Sequence, residues 1–142
     1  MKKLSFSGIL LGGIVDVLST GVLAVPIFLY TALKYGAVHS AQAVHASILL
    51  TMAQWLAGVL GSVLGGDIAA WMAGHDEILN AALSAYLCTG VGIVSWIAGA
   101  TATSTPERLL ELALAPLFAA VGGYLKLSFK RSKSGAVRTA GS

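Results

Sequence analysis

The chain has 142 residues, 56% of them hydrophobic and only 11% charged, with a mean hydropathy of +0.83 and a formal net charge of +3. A soluble domain carries about 25% charged residues, so this composition excludes a water-facing globule and points to lipid as the solvent. Its Lys and Arg lie at the ends of apolar stretches, which excludes a nucleic-acid binder despite the pI of 9.2.

The first predicted element runs over 4–33, long enough to cross a bilayer core, which takes about 20 apolar residues. Its start, "MKKLSFSGILLGGIVDVLSTGVLAVP", has the basic lead, apolar run and Val-Leu-Ala ending of a secretory signal. Asp16 inside the run argues against cleavage and predicts a retained helix. A carboxylate in hydrocarbon costs about 2.5–3.5 kcal/mol, so Asp16 faces inward. It lies roughly 12 Å past the start of the apolar core and shares a face with Gly12, Ser19 and Thr20. Two readings stand for it: a structural carboxyl bonded to Ser, Thr, Gln54 or Lys126, or a proton or cation site. Pro26 removes one helical hydrogen bond and is expected to kink the helix.

The loop "YGAVHSAQAVH" follows, with His39 and His45 six apart. That is too few ligands for a metal, and not one helix face. The second span is expected over 44–71. Ser47, Thr51, Gln54, Gly58, Gly61 and Gly65 fall on one stripe at spacings of three and four, and Gly61-x-x-x-Gly65 is the tightest candidate contact. Asp67 points about 180° away from the glycine stripe and marks the membrane edge, reaching headgroups or Lys126 unless the helix loosens at Gly65-Gly66.

Gly74 closes the second span and Asp76 caps the third, expected over 78–100, so these two spans are antiparallel neighbours. Ala81, Ser84, Cys88 and Ser95 form its small-residue face. Cys88 is the one cysteine, which excludes an intrachain disulfide; it reads as a packing residue. The fourth span, expected over 106–129, opens with Thr105 as cap and Pro106 at the first helical position. Arg108 and Glu111 are spaced for a local ion pair. Ala115, Ala119 and Gly122 continue to Lys126 on its small face, and Pro116 is expected to kink it. "SVLGGDIAAW" and "FAAVGGYLKL" form a faint internal repeat around the pairs Gly65-Gly66 and Gly122-Gly123.

Residues 1–130 thus form one four-span domain, and 131–142 a mobile basic cytoplasmic tail. Lys2, Lys3, Lys126, Lys130, Arg131, Lys133 and Arg138 gather at the two termini, against Lys34 and Arg108 on the other side. The positive-inside rule puts both termini in the cytoplasm. The tail is first a topology signal and second an attraction for anionic lipid, at about 1 kcal/mol per charge. The fold expected is all-α: an integral membrane antiparallel four-helix bundle, held by small faces because lipid does not drive apolar helices together.

Residues 58–96, with "LGGDIAAW" and the Leu-x-x-Ala-Leu start "LNAAL", resemble small uncharacterised four-helix bacterial inner-membrane proteins with a Gly-Gly-x-x-Ala-Ala helix end. The resemblance implies a bacterial inner membrane and brings no activity. The early acidic residue is similar to that of small multidrug-resistance exporters, with Asp16 where those have glutamate and a charge bias their dual-topology members lack.

No nucleophile–base motif, phosphate loop or haem signature occurs, so neither an enzyme nor a cofactor is expected. The leading functional reading is a helix-packing subunit associating with itself or a membrane partner. Its rival is a proton- or cation-coupled transporter or channel, acting as a homo-oligomer around Asp16.

Overall fold

In a computed structural model, which describes residues 4–98 and 105–139, every element is helical. These are α1 (Phe6–Tyr35), a 3-10 turn (Ala37–His39), α2 (Ser40–Ala46), α3 (Ile48–Ala73), α4 (Glu77–Ile97) and α5 (Thr105–Thr139). Four of them, α1, α3, α4 and α5, are long and apolar enough to cross a membrane.

Local chemistry sets most boundaries. The Ser5 hydroxyl caps α1 by accepting from the Gly8 N–H at 3.2 Å. At the far end Gly36, at φ +84°, sends its N–H to the Ala32 carbonyl. Pro26 lies inside α1, which continues beyond it to Tyr35. Gly74 ends α3 in the left-handed region at φ +66°, where a side chain would be strained. Asp76 takes φ +45°, and its carbonyl accepts from the N–H groups of Leu79 and Asn80 to start α4.

Two boundaries correct the sequence reading. The second span does not begin at 44: Val44 belongs to α2, and α3 starts at Ile48. Ser47 between them is extended, and the Val44 carbonyl is taken by the Ser47 N–H and the Thr51 hydroxyl, which closes α2 from outside. α5 also runs past 129, staying helical through 131–139, part of the stretch expected as a mobile tail. Extending a formed helix adds one hydrogen bond per residue without a new nucleus, and Lys, Arg and Ala favour it. The Arg108–Glu111 pair lies outside the described side chains.

α3 and α4 touch each other at the centre; α1 packs against both from one side and α5 against both from the other. Among the described residues α1 and α5 do not meet. Each helix in this rhombus must offer faces to at least two neighbours, and consecutive residues of a helix point about 100° apart. Gly-Gly pairs meet that demand. Gly12 lies against Gly65 and Ala69 of α3, and Gly13 against Ser84 and Leu87 of α4. Gly65 faces Asp16 and Gly12 of α1, and Gly66 faces the Ala119 carbonyl of α5. Gly122 faces the Val63 carbonyl of α3, and Gly123 faces Ala81 and Glu77 of α4.

The interior is small and polar, and the exterior large and apolar. The largest fully buried side chains are Asn80, Thr31, Asp16 and Ser84, accompanied by Ala69, Ala81, Ala85 and Ala119. Phe6, Leu33, Ile48 and Ile97 are each about four-fifths exposed. In water that distribution would forgo most of the hydrophobic stabilisation, about 25 cal/mol per Å² of apolar surface buried. In hydrocarbon it is the stable arrangement.

Candidate functional site: a buried carboxyl beneath a polar cleft

Asp16 stands where α1 and α3 come closest. A side chain on Gly65 would put its first carbon 2.6 Å from the Asp16 Cβ, so the glycine makes room for the aspartate. The carboxyl is 1% exposed. Ser62, one turn before Gly65 on α3, donates its hydroxyl to Oδ1 at 3.2 Å and lies 3.3 Å from Oδ2. Thr20, one turn along α1, donates to Oδ1 at 3.5 Å. Cys88 of α4 stands beside the same carboxyl. Three helices therefore converge on one acidic group through neutral side chains.

No described Lys or Arg pairs with Asp16. Lys126 lies 4.0 Å from Asp67, Lys130 bonds Glu77 at 3.0 Å, and Lys34 bonds the Tyr30 hydroxyl at 3.2 Å and lies over the Tyr35 ring. Lys126 is thus a partner of Asp67 and not of Asp16, and Asp67, facing α5, is separated around α3 from the glycines that face α1. Ser19, expected beside the carboxyl, turns away: its hydroxyl donates to the backbone carbonyls of Val15 and Asp16. A serine in a helix without an outside acceptor returns its proton to the preceding turn.

Ser62, Thr20 and Cys88 form the floor of a cleft of about 200 Å³. Gln54 and Thr89 supply its other polar groups, and Trp55, Phe118 and Leu112 its apolar wall. The Thr89 hydroxyl is buried and finds no acceptor or donor among the described residues. Gln54 is exposed and makes no hydrogen bond to Asp16 among them.

The cleft explains a second correction. Gly58 packs against no other helix of the chain among the described residues: none of them would come within 4 Å of a side-chain carbon placed there, and it lines the cleft instead. Gly61 lies directly against the Thr20 hydroxyl and Gly65 against Asp16, so the close contact of α3 begins at Gly61 and runs towards Ala73. α5 repeats the division: Ala119 and Gly122 meet α3, while Ala115 lines the cleft.

Sequence reasoning missed three participants. Ser62 lay beside the glycine stripe, Cys88 read as packing, and Asn80 drew no attention. Asn80, fully buried, accepts from the Ser5 N–H at 2.8 Å and donates to the carbonyls of His75 and Asp76. A lone Asn in the first turn of an apolar helix was the available signal. No three His, Cys, Asp or Glu side chains gather among the described residues.

The arrangement lets the carboxyl hold a proton, or lose it to water in the cleft and bind a cation in its place. Compared with known proteins, the chain matches no family model, no curated protein and no solved structure.

Proposed function

We propose that the chain is a non-enzymatic integral membrane protein, an antiparallel bundle with both termini in the cytoplasm, which moves protons or a cation past Asp16. One observation carries the reading: Asp16 is buried among neutral groups only, behind Ser62, Thr20 and Cys88, which line a cleft whose Thr89 hydroxyl has no partner among the described residues. A purely structural carboxyl needs no cleft, and a buried charge without a cation partner is costly. The inside-out distribution of side chains supports the bilayer.

A second reading, a subunit that packs on a copy of itself or on a membrane partner, rests on Gly21, Gly58 and Gly90, which meet nothing among the described residues. It is weakened because Gly61, Gly65 and Gly122 are taken up by contacts inside one chain.

The test is proton flux. In proteoliposomes holding a pH-sensitive dye, the unchanged protein should dissipate an imposed pH gradient, and Asp16→Asn should return the rate to that of protein-free vesicles. Equal rates with and without protein, or an undiminished rate for D16N, would refute the transport reading. A stoichiometric second chain in nanodiscs, without flux, would favour the packing subunit.

A further inference from the structure

Away from Asp16, at the end of the bundle holding the 74–76 turn, α3, α4 and α5 enclose a crevice of about 710 Å³. Its charged groups are two cations and two anions. Lys130 and Glu77 are engaged with each other at 3.0 Å, and Lys130 also reaches the Gly74 carbonyl at 3.4 Å. Asp67 and Lys126 are different. They face each other at 4.0 Å, beyond hydrogen-bond reach, and neither makes a hydrogen bond among the described residues. Three ammonium N–H donors and a carboxylate stand open, side by side, both about two-fifths exposed.

Depth places this pair at the membrane boundary. Asp67 is six residues before the end of α3 at Ala73, about 9 Å along the helix axis at 1.5 Å per residue. Trp71, 65% exposed, lies one turn further out, where interfacial aromatics gather. Leu64, Leu125 and Phe129, all exposed, line the same crevice and give it an apolar wall.

The geometry points to a site for one zwitterionic phospholipid whose headgroup carries a protonated primary amine. A phosphate oxygen accepts from Lys126, the ammonium donates to Asp67, and an acyl chain lies along Leu64, Leu125 and Phe129. Charge selects this class. The four side chains sum to zero and Lys130 is taken by Glu77, so an anionic headgroup without an ammonium would meet Lys126 but also face the Asp67 carboxylate. A quaternary ammonium has no N–H to give Asp67. The inference rests on the membrane placement alone and not on transport through Asp16.

Native mass spectrometry of the full chain in mild detergent tests it, with phosphatidylethanolamine, phosphatidylcholine and phosphatidylglycerol of identical acyl chains supplied in equal amounts. The ethanolamine lipid should be retained about three- to tenfold over the other two, the range of one ordinary hydrogen bond net of its solvation. Asp67→Asn should raise retention of the glycerol lipid to at least that of the ethanolamine lipid. Lys126→Gln should lower both, and Lys133→Gln, in the basic tail, should leave all three unchanged. Misfolding cannot raise one lipid while lowering another, so the opposite responses keep the test decisive. Equal retention of the three lipids, an intact preference in D67N, or loss of binding in K133Q would overturn the site. An absence of proton flux would leave it standing.

Discussion

Asn80 shows how much one polar side chain can hold when the interior is made of small residues. Its amide joins three backbone groups: the Ser5 N–H at the start of α1 and the carbonyls of His75 and Asp76 in the turn. It thereby ties the first helix to the connection between the third and fourth. Replacing it with leucine removes both donor and acceptor and leaves these groups to find water. We expect Asn80→Leu to lower stability by about 1–3 kcal/mol, the cost of unsatisfied buried polar groups. Unfolding by denaturing detergent reads the difference; a midpoint unchanged from the parent would mean that the turn is held by other contacts. Asp16 and Asn80 are both buried polar groups, yet only Asn80 has both its donor and acceptor capacity filled by fixed neighbours. That contrast separates a structural polar residue from one that can change its proton or its partner.

At the scale of the helix, glycines divide by whether a neighbour fills the space beside them. Gly66 lies against the Ala119 backbone, which cannot swing aside as a side chain would, so Gly66→Ala should destabilise the bundle by about 1–3 kcal/mol through overpacking. Gly58 meets nothing among the described residues, so Gly58→Ala should be neutral or stabilising by up to about 1 kcal/mol, the helix-propensity gain. The same detergent unfolding series decides both, and equal effects at the two positions would remove the distinction between contact and cleft. The four spans were legible in the sequence because length and hydropathy determine them without knowledge of neighbours. The registry of α3 was not. A stripe drawn through Ser47, Gln54, Gly58 and Gly65 assumes one partner along the whole helix, whereas α3 meets three other long helices and its glycine contacts begin at Gly61. The Gly-Gly pairs carried the missing signal, since a single packing face needs only one small residue per turn. Asp16 was legible because a charge in an apolar run stands out. Ser62 and Cys88 were not, because small polar residues are ordinary in membrane helices and only the convergence of three helices brings them to the carboxyl.

At the scale of the whole molecule, the contacts gather three chain regions at one end of the bundle. Ser5 bonds Asn80, Gly8 lies against Ala69 and the Ala73 N–H, and Lys130 reaches the Gly74 carbonyl. The start of α1, the 74–76 turn and the Lys130 region of α5 therefore share one side. By sequence, that side also receives Lys2, Lys3, Arg131, Lys133 and Arg138, while Lys34 and Arg108 fall at the other. A bias of this size in short flanking segments sets orientation, because Lys and Arg resist translocation. Reporter fusions at either terminus should both be active in the cytoplasm and silent outside it. Neutralising Lys2 and Lys3 alone should not invert the protein, since Lys126, Lys130 and the residues after it remain on the same side. Reporters active on opposite sides of the membrane would contradict the bundle itself, and both active outside would contradict only its orientation. The second outcome would also move Asp67 and Lys126 to the outer leaflet, so that their lipid would have to be drawn from there.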